Sequence, residues 1–343
     1  MSTVLVAGGA GYIGSHAVKA LAASGYDVVV YDNLLAGHRE AVDRLARAFP
    51  GRRITLVQGD ILDGALLRQT LESHGATAVM HFAALLSVVG SVREPFAYYR
   101  NNVLGTISVL EAMAAAGVKF LVFSSTCATF GEPTTPSLDE THPQRPINAY
   151  GETKLAIERA LPHIELATGI RFVALRYFNA SGADPDGLIG EDHHPEEHII
   201  PRAIAATRGG DALTVFGDDY PTHDGTCVRD YVHVCDLADA HVAALRRLES
   251  GGASGFFNLG SGHGMTVKQV LDAVGRVAGR PVPYSMGPRR PGDPARLVAS
   301  PELARRELNW TPRLGDLDAI VSTAWRWHTA HPQGYGKRAD GLR

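Results

Sequence analysis

The sequence predicts an α/β protein in which a doubly wound parallel sheet is followed by a smaller second α/β domain. Three observations point there. Short, nearly continuous apolar runs alternate with longer helix-like stretches through the first half of the chain. A glycine loop, GGAGYIG over residues 8–14, joins the first run to the first long stretch. After Asn179 the alternation gives way to loops rich in Gly, Asp and Pro.

Thr3–Ala7, Asp27–Tyr31, Ile54–Gln58, Ala78–Phe82, Phe120–Ser124 and Phe172–Tyr177 read as strands. Runs with so little polar alternation suit strands covered on both faces. Gly14–Ser24, Gly64–His74, Phe96–Ala116 and Ala149–Thr168 lie between them and are long enough for crossover helices. Repeated strand–helix units of this kind build a Rossmann-type sheet. Further on, Gly182–Gly190 and Gly217–Gly225 read as loops, Val232–Leu248 and Thr266–Ala278 as helices, and Phe256–Leu259 as a strand. The expected division is 1–179, with chain returning to it at about 230–260, and 180–343. The tail beyond Gln333, rich in glycine and charge, is expected to be loose.

Composition narrows the function. The 343 residues are 45% apolar and 20% charged, the balance of a folded protein. No apolar run approaches the roughly 20 residues of a membrane span, and Met1–Ala7 lacks the basic start of a signal peptide. With 33 Lys and Arg against 36 Asp and Glu, a nucleic-acid partner has no charge support. Three cysteines without a CxxC spacing suit a reducing cytoplasm. What these leave is a soluble, cytosolic enzyme.

Gly8, Gly11 and Gly14 follow the first strand and open the first helix. A tight turn there needs a residue without Cβ, and a diphosphate must approach the backbone closely. The helix N-terminus adds unpaired N–H groups and a positive dipole end. Asp32 ends the second strand 18 residues after Gly14. A carboxylate there hydrogen-bonds ribose hydroxyls and repels a 2′-phosphate, which favours NAD over NADP.

Tyr150 and Lys154 stand four apart at the start of a predicted helix, so their side chains share one face. An unperturbed phenol titrates near 10, too high for a base at neutral pH, and an adjacent ammonium favours the phenolate. Lysine can also reach a nicotinamide ribose hydroxyl. Upstream, SSTCATFG follows the strand ending at Ser124, the end of a parallel strand where this fold binds ligands. Ser125 or Thr126 is placed there to hydrogen-bond a substrate hydroxyl.

At this point the chain resembles the extended short-chain dehydrogenase/reductases and, among them, the UDP-glucose (UDP-galactose) 4-epimerases. The stretches that carry the resemblance are GGAGYIGSH, YDNL, GDI, HFAA, NNVLGT, YGETK, LRYFNASGADPDG, GEDH, VFGDDYPTHDGTCVRDYVHVCDLADAH, NLGSG, RRPGD, LNW and HPQGY. The resemblance implies that Gly8, Gly11, Tyr12, Ile13 and Gly14 hold the pyrophosphate of NAD. Asp32 and Asn33 would meet the adenosine ribose, Asp60 and Ile61 the adenine, and Phe82, Ala83, Ala84 and Asn101 the rest of the cofactor channel. It makes Tyr150 the catalytic base, Lys154 its electrostatic partner, and Thr126 the stand-in for a usual serine. Phe178 and Asn179 would border the sugar and pyrophosphate, and Val215 and Phe216 the uracil. Arg229, Arg290 and Asp293 would hold the diphosphate and ribose, since forked guanidinium donors match phosphate oxygens.

The implied reaction oxidises the sugar transiently at C4, lets the 4-keto sugar swing about its phosphate link, and returns hydride to the opposite face. A UDP-sugar substrate, retained NAD, and a homodimer formed through Phe96–Ala116 and Ala149–Thr168 follow from the same resemblance. Three departures stand out. Thr126 replaces serine but keeps the hydroxyl, Leu86 stands where many relatives carry lysine, and Leu297 occupies a pocket position that varies in size. Hexose and pentose nucleotides differ by one CH2OH group, so UDP-arabinose/UDP-xylose epimerisation stays open as the alternative. A 4,6-dehydratase would need an Asp-Glu pair after Thr126, where Cys127 and Ala128 stand. A net dehydrogenase and a non-catalytic NAD-sensing module are further rivals; the retained Tyr150 and Lys154 argue against the latter. His193, His194 and His198 cluster with Glu191, Asp192, Glu196 and Glu197, but Pro195 interrupts any helix, so no functional metal is expected. Cys127 reads as a small core residue rather than a reactive thiol.

Overall fold

The computed structural model describes residues 2–290 and 293–336; Pro291 and Gly292 of the RRPGD stretch and the end of the tail, 337–343, lie outside that range. The chain opens with β1 (Thr3–Ala7), α1 (Tyr12–Ala23), β2 (Asp27–Asp32), α2 (Arg39–Ala48), β3 (Ile54–Gln58), α3 (Gly64–His74) and β4 (Ala76–His81). Two short helices, α4 (Val88–Arg93) and α5 (Pro95–Tyr98), lead through a π-helical turn at Tyr99–Leu104 into α6 (Gly105–Ala115). Then come β5 (Phe120–Thr126), a 3-10 turn at Cys127–Thr129, α7 (Ala149–Thr168), β6 (Arg171–Tyr177) and β7 (Asn179–Ser181). The rest comprises α8 (Ile199–Thr207), β8 (Leu213–Phe216), β9 (Val228–His233), α9 (Val234–Glu249), β10 (Gly255–Leu259), β11 (Gly264–Thr266), α10 (Val267–Ala278), β12 (Tyr284–Gly287), β13 (Arg296–Leu297), α11 (Glu302–Leu308) and α12 (Leu317–Ala330).

Seven strands form one sheet in the order β10-β6-β5-β4-β1-β2-β3, every pair parallel. All five residues of β1 are buried, and their alternation feeds two apolar layers. Val4 and Val6 pack with α1, α2 and α9 on one face. Leu5 and Ala7 pack with α3, α6 and α7 on the other. This two-sided burial is why the strands read as unbroken apolar runs. The doubly wound parallel sheet is therefore as expected; β10 is its strand beside β6, and α9 packs on the face of Val4 and Val6.

Beyond the large sheet, β9 pairs with β7 and β13 in parallel and with β11 antiparallel. A separate parallel pair joins β8 and β12. Helices α8, α10 and α12 pack together over a third apolar cluster that includes Ile204, Val274 and Ile320.

Several local readings need correction. Phe96–Ala116 runs helical from α5 to the end of α6, but not evenly α-helical, because Tyr99–Leu104 is wound as a π-helical turn within it. Val232 and His233 belong to strand β9, and helix α9 starts only at Val234. The described part of the tail is not loose: Tyr335 donates to the Gly190 carbonyl (3.1 Å) and stacks on His38, and its backbone N–H meets Asp192 (2.9 Å).

Candidate active site

Strand order reverses between β1 and β4, and a cavity of about 450 Å³ opens above their C-terminal ends. A crevice at such a switch point is where open α/β sheets bind ligands. Most residues singled out from the sequence meet on its wall: Gly8, Gly11, Tyr12, Ile13, Gly14, Asp32, Asn33, Ile61, Phe82, Ala83, Ala84, Asn101, Thr126, Tyr150, Phe178, Asn179, Arg229, Asp293 and Leu297. Asp60, Lys154, Val215, Phe216 and Arg290 stand off that wall.

The glycine loop is built by close approach. A Cβ on Gly8, at φ +79°, would sit 2.5 Å from the Ala83 nitrogen, and one on Gly14 2.1 Å from the Gly8 carbonyl oxygen. Only bare backbone lets the loop, α1 and the end of β4 close together. Gly11 at the N-cap of α1 brings no side chain, so the helix start faces the cavity uncapped by any described side chain. Asp32 accepts hydrogen bonds from the N–H groups of Ala10 (3.0 Å) and Leu34 (2.8 Å). Burial raises its carboxyl pKa, and these two bonds oppose the shift. Leu34 is held at φ +62°, a strained setting for a leucine. Asp60 acts one step back, accepting from Asn33 Nδ2 at 2.9 Å.

On the opposite side, Asn148 caps α7 by accepting from the Gly151 N–H (2.9 Å), which fixes Tyr150 in the first helical turn. Burial pushes the Tyr150 phenol up, Tyr177 adds to this, and a hydrogen bond with Thr126 opposes it. Lys154 Nζ is buried and donates to the Ser124 carbonyl at 2.8 Å. Burial draws its own pKa down to about 7, with Glu158 opposing.

Between the two hydroxyls left open by the sequence, geometry distinguishes clearly. Ser125 Oγ is fully buried and donates to Glu158 (2.5 Å), which also pairs with Arg176. Thr126 reaches the cavity.

Two residues with supporting places were missed. Asn102 accepts from the Leu85 N–H (2.8 Å) and donates to the Leu85 carbonyl (3.1 Å) and Thr153 Oγ1 (3.2 Å). It thereby ties the loop after β4 to α7; its doubled asparagine with Asn101 was the available signal. Asp230, fully buried beside Arg229, takes hydrogen bonds from Ser261 N and Oγ, Gly262 N and Ala299 N. Nothing in its local sequence separates it from the other aspartates of that block.

Arg229 forms an ion pair with Asp293 at the cavity wall and donates to the Val228 carbonyl (2.7 Å). Asn179 Nδ2 donates to the Asp230 carbonyl (3.0 Å). The Arg290 guanidinium lies 4.0 Å over the Phe216 ring. The Val215 side chain points into the third apolar cluster, as alternation along β8 requires.

His193 and His198, rather than His194, come together. Both direct Nδ1 to one Glu191 oxygen, and Glu196 completes a set whose donor atoms lie within 4.8 Å of one another. Although burial works against it, these imidazoles hold the Glu191 carboxyl well below the usual range. The set is ion-paired within itself. Cys127 also lines the cavity, and burial pushes its thiol up to about 12.

Comparison with known proteins agrees with this geometry. The model of the NAD dependent epimerase/dehydratase family matches residues 4–260. A UDP-glucose 4-epimerase of Lacticaseibacillus casei is 52% identical, over 98% of this chain and 99% of its own. The Brucella ovis UDP-glucose 4-epimerase, solved in complex with NAD, is 50% identical with a TM-score of 0.91, covering 95% of this chain and 98% of that one. A Stenotrophomonas maltophila UDP-glucose 4-epimerase with bound NAD and formylated UDP-arabinopyranose is 41% identical with a TM-score of 0.93, covering 97% and 99%. With the family match spanning most of the chain, this protein belongs to the NAD dependent epimerase/dehydratase family.

Proposed function

We propose that this chain interconverts UDP-galactose and UDP-glucose, inverting sugar C4 with NAD retained through the cycle. The observation that carries the reading is the meeting of Tyr150, Thr126 and the bare glycine loop on one cavity at the sheet's switch point. End-to-end likeness to UDP-glucose 4-epimerases supports it.

The residues present fit NAD. Backbone closeness at Gly8 and Gly14, an uncapped helix start at Gly11 and a buried carboxylate at Asp32 suit a dinucleotide with free ribose hydroxyls. When bound, NAD supplies a reversible hydride acceptor for sugar C4 and a positive charge that favours the ionised phenol. Asn33, Ile61, Phe82, Ala83, Ala84 and Asn101 would complete its channel, with Asp60 steadying Asn33.

Tyr150 takes the proton of the sugar 4-hydroxyl and later returns it. Thr126 orients that hydroxyl, and Lys154 holds the helix face carrying Tyr150 against β5. Arg229, Arg290, Asp293, Phe178 and Asn179 bind the UDP portion, so the Arg229–Asp293 pair parts when a diphosphate arrives. Phe216 and the backbone at Val215 border the uracil, and Leu297 bounds the sugar. A wall apolar at Phe178 and Leu297 keeps water from the oxidised sugar.

The proposal extends to organisation. Residues 180–343 form the substrate-binding part around the Rossmann-type core of 1–179. Phe96, Leu104 and Leu166 are exposed and apolar, as the helices of a homodimer would be. A cytoplasmic setting agrees with three unpaired cysteines. Among the described residues no helix is long and apolar enough to cross a membrane.

Following UDP-galactose by proton NMR tests the reading. The parent chain should give UDP-glucose to a fixed ratio, and Tyr150→Phe should lose nearly all rate while staying folded. A Tyr150→Phe variant of undiminished rate would refute the assigned base. The pentose reading gains support from the UDP-arabinopyranose derivative bound by the Stenotrophomonas relative. Turnover of UDP-arabinose and not UDP-galactose would select it.

A further inference from the structure

Outside the machinery described above, Glu191, His193, Glu196 and His198 bring four ligating side chains to one point. Pro195 rules out a helical pairing of His194 with His198, yet residues 191–198 are not helical, and His193 takes the place of His194. His193 and His198 turn Nδ1 to the same oxygen of Glu191, His193 at 3.1 Å. Glu196 stands 3.8 Å from Nδ1 of His193 and 3.5 Å from Nδ1 of His198. Four donors held tetrahedrally at zinc distances lie about 3.3 Å from one another. The separations here bracket that spacing, and all four donors lie within 4.8 Å of one another. Movements of about 1 Å close the set on an ion.

The frame around these donors is fixed from both ends. The Glu191 carbonyl accepts from Trp327 Nε1 (2.8 Å). The Asp192 side chain holds the Tyr335 N–H (2.9 Å), and its carbonyl meets His38 Nε2 (2.9 Å). At the other end His198 is the N-cap of α8, and its N–H donates to Glu196 (2.7 Å), keeping that carboxylate beside the imidazole. Among the described residues the ion pairs of Glu191 and Glu196 are with these two imidazoles, with no lysine or arginine joining them. One divalent charge answers both carboxylates and takes a lone pair from each ring. The His198 side chain is half-exposed, which leaves an ion a way in.

We propose that Glu191, His193, Glu196 and His198 form a structural site for a divalent cation of the zinc class. Two nitrogens and two carboxylate oxygens select zinc or its borderline neighbours, whereas calcium and magnesium ask for oxygen throughout. Four protein ligands fill a tetrahedron, so the ion fastens and does not catalyse. What it fastens is the cavity wall, which His193 and His198 line; the His193 ring also meets Tyr12 of α1 edge-on at 6.0 Å. With the ion bound, each ring ligates through Nδ1 and carries its proton on Nε2.

Untagged full-length protein, dialysed against a chelator and titrated with zinc by calorimetry, tests the proposal. One equivalent should bind with a Kd at or below about 1 µM. The bound ion should also raise the melting temperature. His193→Ala and His198→Ala should each weaken binding by about a hundredfold, and the milder Glu196→Gln by about tenfold. His194→Ala should bind as the parent does, because His194 pairs with Asp192 (3.1 Å) and not with the set. Cobalt(II) in zinc's place should give the visible bands of a four-coordinate site, a reading that needs the parent chain alone and holds even where an alanine variant fails to fold. No saturable zinc binding in the parent, or six-coordinate cobalt bands, overturns the proposal. So does parental affinity in both folded histidine variants, which marks adventitious capture by others of the 15 histidines. None of these readouts depends on UDP-sugar turnover, so they stand whether or not the functional reading does.

Discussion

Lys154 donates through Nζ to the main-chain carbonyl of Ser124 at 2.8 Å, from a buried position 4.9 Å over the Phe123 ring. The contact joins the helix that carries Tyr150 to the strand that ends in Thr126, so one amine sets the spacing of these two residues. Lys154→Met should lower kcat by about a hundredfold or more. Lys154→Arg should not restore it, because the buried slot was shaped around a slimmer group. Initial rates with UDP-galactose check this, and a Lys154→Met rate near the parent's would contradict it.

Acid should destabilise the fold through buried imidazoles. Burial draws His16 and His241 down to about 4, and His81 and His233 to about 3. An unfolded histidine takes up its proton near 6.5. Between pH 6.5 and about 4 the unfolded chain therefore binds more protons, and stability falls as pH falls. By pH 5 each such group removes about 2 kcal/mol. His198, raised to about 9 because its pairing with Glu191 outweighs burial, contributes fully below pH 6.5 and so does not offset the loss. Urea midpoints at pH 7 and pH 5 measure it; equal midpoints would contradict the expectation.

Asp230 gathers four hydrogen bonds on a fully buried carboxylate and so fixes the strand of Arg229 against the segment that follows Leu297. Asparagine offers one oxygen where two accept, leaving buried N–H groups unpaired. Asp230→Asn should cost about 2–4 kcal/mol and raise KM for UDP-galactose more than it lowers kcat. Calorimetry and steady-state rates together check it, and an unchanged melting temperature would refute the structural part.

Phe96 is 88% exposed and Leu166 is 89% exposed, an arrangement that suits burial against a second copy. Phe96→Asp with Leu166→Asp should halve the mass seen by light scattering on a sizing column. A parent chain already of monomer mass would dispose of the dimer.

Much of this was legible because the large sheet is buried on both faces. Strands β1 and β3 and helices α3 and α7 fall within the bounds their residues suggest, where apolar runs end at caps such as Asp63 and Asn148 or at Gly75 and Gly169. Helix α2 was not read, for its arginines and acids leave only Ala41, Val42 and Leu45 as its buried face. The π-turn at Tyr99–Leu104 has no periodic signature, yet it carries Asn101 and Asn102. That the glycines, Asp32, Tyr150 and Thr126 meet at one cavity was legible because each sits at the end of a strand or the start of a helix. Asp230 and Asn102 were not, because their contacts reach partners 17 to 69 residues away.

The most direct test of transient oxidation at C4 uses UDP-galactose deuterated at that carbon, incubated with purified protein and no added cofactor. UDP-glucose should form with deuterium kept at C4, since the hydrogen leaves and returns within one closed site. UDP-glucose that has lost its deuterium to solvent, or no conversion even with NAD supplied, would contradict the assignment.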